Sequence, residues 1–128
     1  MSDAYVLDAS ALLAALGGEP GAERVRALLP SARIGSVNLS EVVAKLHERG
    51  VPDAVIDEIL VDLDLTVVPF DAATARRAGL LRGATRAAGL SLGDRACLAL
   101  AAERDAVAVT TDRAWGELDL GIAVELLR

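Results

Sequence analysis

The 128-residue chain has one cysteine, one histidine and one lysine, and its aromatics are a single Tyr5, Phe70 and Trp115. With Cys97 alone, no internal disulfide can form, and its setting in Cys97-Leu98-Ala99-Leu100 reads as helix packing rather than as a reactive thiol. His47 has no partner at a spacing that suits proton transfer, so it reads as a solvated residue on the polar side of its helix. Three scattered aromatics exclude a base-stacking platform, and Trp115 is expected to pack beneath a site rather than to stack on a base. No apolar run approaches the ~20 residues that cross a bilayer. The N-terminus also lacks the basic flank and cleavage site of a signal peptide, so no membrane contact and a cytoplasmic location are expected.

What is abundant is aliphatic. Apolar residues make up 53% of the chain, mainly Ala, Leu and Val, which excludes a disordered chain. The length suits one domain spanning residues 1–128. Its formal net charge of −6 argues at first against a polyanionic partner. Four of its acids, Asp8, Glu41, Asp94 and Asp112, alter that reading if they converge on a divalent cation. The balance that remains is then 15 acids to 13 bases.

Strand and helix signals alternate along the chain. Tyr5 to Leu7 reads as a strand ending at Asp8, and Ser10 opens a helical pattern. Val25, Leu28 and Leu29 recur at helical spacing until Pro30, and a short strand follows near Ile34. Asn38 is expected to begin a third helix closed by Gly50, and a fourth runs from about Pro52 to Leu63. Thr66 to Val68 reads as a strand, with Asp71 capping a helix that reaches toward Ala88 although Gly79 and Gly83 weaken it. A turn at 90–94 leads into an all-round apolar helix from Arg95 to about Arg104. Ala106 to Val109 is a strand, a short helix holds Trp115, and Ile122 to Leu127 closes the pattern as a strand. Such alternation implies an α/β fold, a three-layer α/β/α sandwich with a mostly parallel central sheet.

In such a sheet, ligands bind beyond the carboxyl ends of the strands. Asp8 and Asp112 fall at such ends, while Glu41 and Asp94 fall in first helical turns, so all four acids can face one rim. Each has an ordinary alternative: Asn38 with Glu41 and Ser91 with Asp94 fit capping boxes, and Asp8 and Asp112 can cap the helices that follow them. Capping does not explain the concentration of acids at one edge, where like charges raise one another's pKa values. Lys45, one turn past Glu41, can pair with it, but one lysine cannot neutralise four acids. A hard cation, Mg²⁺ or Mn²⁺, can, and it would suit water attack on a phosphodiester.

The stretches Val6 to Leu13, Val37 to Val42, Leu90 to Asp94 and Val109 to Trp115 resemble, in order and spacing, the four motifs of the PIN domain family, and more narrowly its VapC toxins. The resemblance implies Mg²⁺ or Mn²⁺ held by Asp8, Glu41, Asp94 and Asp112, with Ser10 and Asn38 supporting the ligands or orienting substrate. It further implies a toxin endoribonuclease that cleaves tRNA or rRNA to a 5′-phosphate and a 3′-hydroxyl, a VapB-type antitoxin partner, and a homodimer. Arg95 and Arg113, each following an acid of the cluster, are candidates to touch RNA phosphates. Leu12, Leu16, Val25 and Leu28 are candidates to line an antitoxin groove, though core burial accounts for them equally. Two other readings stay open: a phosphoryl-accepting receiver domain, which would want a lysine at a strand end, and a non-catalytic interaction module of the same fold.

Overall fold

The computed structural model describes residues 4–128. Five strands form one sheet: β1 (Tyr5–Leu7), β2 (Ala32–Gly35), β3 (Thr66–Val68), β4 (Val107–Thr110) and β5 (Val124–Leu126). Their order is β3-β2-β1-β4-β5, and every neighbouring pair is parallel. The helices are α1 (Ala9–Gly17), α2 (Ala22–Leu28), α3 (Ser36–Glu48), α4 (Asp53–Leu63), α5 (Ala72–Leu80), α6 (Arg82–Thr85) and α7 (Leu92–Glu103), with short 3-10 turns at Leu29–Ser31 and Arg113–Glu117.

Successive residues of a strand point to opposite faces, and the core divides accordingly. Leu7, Ile34 and Val109 join Leu12, Val25, Val42 and Ile56 in the layer formed by α1 to α4. Val6 and Ala108 join Leu98, Leu100 and Trp115 in the layer around α7. The helix around Leu98 is buried on nearly every side, as its composition predicts. Both layers are mainly aliphatic, and Trp115, 1% exposed, is the one fully buried aromatic among the described residues.

Chain order puts the site at a defined place. From β1 the chain steps outward through β2 to β3, then returns to the other side of β1 for β4 and β5. The strand order therefore reverses between β1 and β4, where an open parallel sheet leaves a crevice at its carboxyl edge. Leu7 pairs with Val109, and the Asp8 amide extends the ladder to the Val109 carbonyl at 3.1 Å. One residue further on, the side chains of Asp8 and Thr110 meet across this seam.

Several boundaries differ from those predicted. α3 begins at Ser36, not Asn38, with Gly35 as its N-cap and no side-chain cap. α7 begins at Leu92 rather than Arg95 because Ser91 caps it. The helix expected to run from Asp71 toward Ala88 breaks after Leu80, and a single short turn, α6, follows. The sheet is wholly rather than mostly parallel. Among the described residues, no helix is long and apolar enough to cross a membrane.

Candidate metal centre

Asp8 leaves β1 in extended conformation and caps α1, accepting the Ala11 amide on Oδ1 at 2.8 Å. The Ser10 hydroxyl donates to the same oxygen at 2.7 Å, and the Thr110 hydroxyl donates to Oδ2 at 2.6 Å. The carboxylate is 5% exposed. Burial raises its pKa above the ordinary aspartate value, the hydrogen bonds from Thr110, Ser10 and Ala11 pull it back, and the charge of Asp94 pushes it further up.

Glu41 lies in the second turn of α3, so the expected capping box with Asn38 does not form. Asn38 is turned inward and 1% exposed. Its amide nitrogen donates both to Glu41 Oε1 at 2.9 Å and to the Gly93 carbonyl of α7 at 3.0 Å. The Glu41 carboxylate thereby rests against the N-terminal turn of α7, the positive end of that helix. Its pKa is raised by burial, lowered by the Asn38 bond, and raised again by Asp94 and Asp8.

Asp94 sits in that same turn of α7 and completes a capping box: its Oδ2 accepts the Ser91 amide at 2.9 Å, while its own amide donates to Ser91 Oγ at 3.2 Å. The box occupies Oδ2 alone. Asp8, Glu41 and Asp94 thus come from three separate elements and act on one another electrostatically.

Asp112 joins less directly. Its carboxylate is exposed and caps the 3-10 turn through the Ala114 amide at 2.9 Å. Its backbone amide donates to Thr110 Oγ1 at 3.0 Å, the hydroxyl that holds Asp8. The neighbouring Thr111 amide donates to Ser10 Oγ at 3.0 Å, so the loop after β4 is fastened to the start of α1 at two points.

Two residues of this centre escape a reading of motifs. Thr110 is fully buried and bonds Asp8 and Asp112 at once; its one sequence signal is a polar residue in register with buried Ala108. Gly93 is the other: a methyl there would overlap the Glu41 carboxylate.

Other expectations are corrected. Lys45 pairs with Glu48 at 3.4 Å instead of Glu41, and it lies within α3 rather than at the strand end where a receiver domain would want a lysine. Arg95 turns away from the rim and donates to the Ala78 carbonyl of α5 at 3.1 Å. Leu12, Val25 and Leu28 are core residues and Leu16 packs against them, so they line no open groove. Arg113 remains exposed beside Asp112. His47 is exposed too and faces Asp53 at 3.7 Å. Cys97 is buried with its thiol pKa pushed well up, first by burial and then by the three acids, consistent with a packing role.

Two buried or half-buried acids beside a third need positive charge, and the ion pairs of the described residues supply none to them. The donors are all oxygen, the set that hard divalent cations prefer. Among the described residues no three acids are closed into a ready cage.

Residues 5–120 match the family model described as PIN domain. Among solved structures, DNA-bound VapBC from Salmonella typhimurium contains a similar chain, with a TM-score of 0.77 and 20% identity over 100% of both chains. VapBC2 from Rickettsia felis, bound to a DNA fragment from its promoter, gives 0.74 and 18% over 97% of this chain and 98% of that one. VapBC-5 from Mycobacterium tuberculosis gives 0.62 and 24% over 98% of each. No curated protein sequence matches.

Proposed function

The chain belongs to the PIN domain family, and on that basis we propose that it is a metal-dependent endoribonuclease, the toxin of a VapBC-type toxin-antitoxin pair. The observation that carries the proposal is the grouping of Asp8, Glu41 and Asp94 at the point where the strand order reverses, with no basic side chain among the described residues paired to any of them. In this reading Asp8, Glu41, Asp94 and Asp112 hold Mg²⁺ or Mn²⁺. A divalent cation there would polarise a phosphodiester and favour ionisation of water.

The chain's own residues do the positioning. Ser10 and Thr110 fix both oxygens of Asp8, Asn38 fixes Glu41, and Ser91 fixes Asp94, so the charges are set before substrate arrives. The water oxygen bonds to phosphorus, the bond from phosphorus to the 3′-oxygen breaks, and that oxygen takes up a proton. The products are a 5′-phosphate and a 3′-hydroxyl. Arg113, exposed on the rim, contacts a substrate phosphate.

The substrate class is tRNA or rRNA, and the partners are a VapB-type antitoxin and a second copy of the chain. Three similar solved chains come from structures described as VapBC, which supports the antitoxin. Incubating the protein with total tRNA and with rRNA, in Mg²⁺, in Mn²⁺ and in chelator, tests the activity. Discrete fragments with 5′-phosphate ends in metal but not in chelator are expected. Fragments of equal yield in chelator contradict metal dependence.

A further inference from the structure

Glu41 belongs to α3, yet its carboxylate is seated on α7. A methyl built on Gly93 would meet Glu41 Cδ and Oε1 at 2.5 Å, and Oε2 closer still. The backbone does not require glycine there: Gly93 is not among the positive-φ residues, and alanine inside a helix is favoured over glycine by roughly 1 kcal/mol. The three nearest atoms that such a methyl would meet all belong to the Glu41 carboxyl group. They form the far end of a flexible side chain, so an alanine would displace the carboxylate rather than disrupt the helix.

The same point is held from the other side. Asn38 donates to Glu41 Oε1 and to the Gly93 carbonyl, clamping the acid and the α7 backbone together. The next residue is Asp94. The spacing between the Glu41 and Asp94 carboxylates therefore depends on Gly93 having no side chain.

We infer that Gly93 is a positioning residue, whose bare Cα seats Glu41 beside Asp94 and so sets the affinity of the centre for a divalent cation. This rests on the metal-site reading and assigns it a residue that bears no donor atom.

The test compares Mn²⁺ binding, by titration calorimetry, and thermal unfolding of the metal-free protein for wild type, Gly93→Ala, Glu41→Gln and the double variant. Gly93→Ala is expected to keep or raise Tm while weakening Mn²⁺ by about tenfold or more, the loss usual when ligand support is removed. Glu41→Gln is expected to weaken Mn²⁺ in the wild-type background and to add little when alanine is already at 93, since the carboxylate is then displaced. Gly93→Ala binding Mn²⁺ as wild type does, while Glu41→Gln does not, overturns the inference and leaves the metal site standing. Glu41→Gln binding as wild type does removes the metal-site reading, and this inference with it. If Gly93→Ala lowers Tm, adding Glu41→Ala must restore it; failure to do so places the clash elsewhere and also overturns the inference.

Discussion

The Thr110 hydroxyl donates to Asp8 Oδ2 at 2.6 Å and accepts the Asp112 amide at 3.0 Å, so one buried side chain ties the acidic ends of β1 and β4 together. Thr110→Val keeps the shape and removes both bonds, leaving a buried carboxylate oxygen without a donor and an amide without its acceptor. Cleavage is expected to fall by about 10–100-fold, and stability by about 1–3 kcal/mol. Thr110→Ser should recover most of the activity, because it keeps the hydroxyl. Rates and chemical denaturation of the two variants check this.

Asp8 and Glu41 both have pKa values raised by burial and by neighbouring acids. Between the unfolded value and the raised folded value, the folded state holds more protons than the unfolded one, so stability falls as pH rises through that window and the cost persists above it. Asp8→Asn removes one of these charges. The metal-free variant is expected to unfold at a higher Tm than the wild type at pH 7, while losing cleavage. Melting curves from pH 4 to 8 should show the stability gap between variant and wild type widening as pH rises over the acid end. Equal slopes for the two proteins would contradict the assignment.

Trp115 is 1% exposed and is the sole tryptophan, so fluorescence reports one buried position. Native emission is expected to be blue-shifted and to move red in one step on unfolding. Trp115→Ala should cost about 3–5 kcal/mol through the cavity left beside Val6 and Leu98. Trp115→Phe should cost less, because the phenyl ring refills much of that cavity. Urea titrations followed by circular dichroism measure both.

Arg113 is exposed next to Asp112. If it neutralises one RNA phosphate, Arg113→Ala lowers affinity and reduces the slope of log affinity against log salt by about 0.7 for a single strand. Binding measured at several salt concentrations with the cleavage-dead Asp8→Asn background gives the slope directly; an unchanged slope removes Arg113 from the interface.

Strand-end acids are legible in a sequence because the motif and the strand are contiguous, and Asp8 and Asp112 stand where the pattern puts them. Capping does not keep these acids apart: Asp8, Asp94 and Asp112 all cap, and Asp8 and Asp94 also act electrostatically on Glu41. Asn38 was misplaced for a physical reason. Asparagine is a favoured cap locally, but its amide is used by a carbonyl 55 residues away, a contact no local periodicity encodes. Gly93 and Thr110 were hidden for the same reason, since the value of each lies in a neighbour on another element. Lys45 and Arg95 have closer partners than the ones spacing suggested.

Cleavage of RNA by the carboxylates at the β1–β4 seam, with a divalent cation, is the proposed activity. It is tested most directly by incubating wild type and Asp8→Ala side by side with the same tRNA and rRNA, in Mn²⁺ and in chelator, after circular dichroism shows both folded. Cleavage by the wild type in Mn²⁺ alone, and none by Asp8→Ala in either condition, is the expected result. Equal cleavage by the two proteins would contradict it.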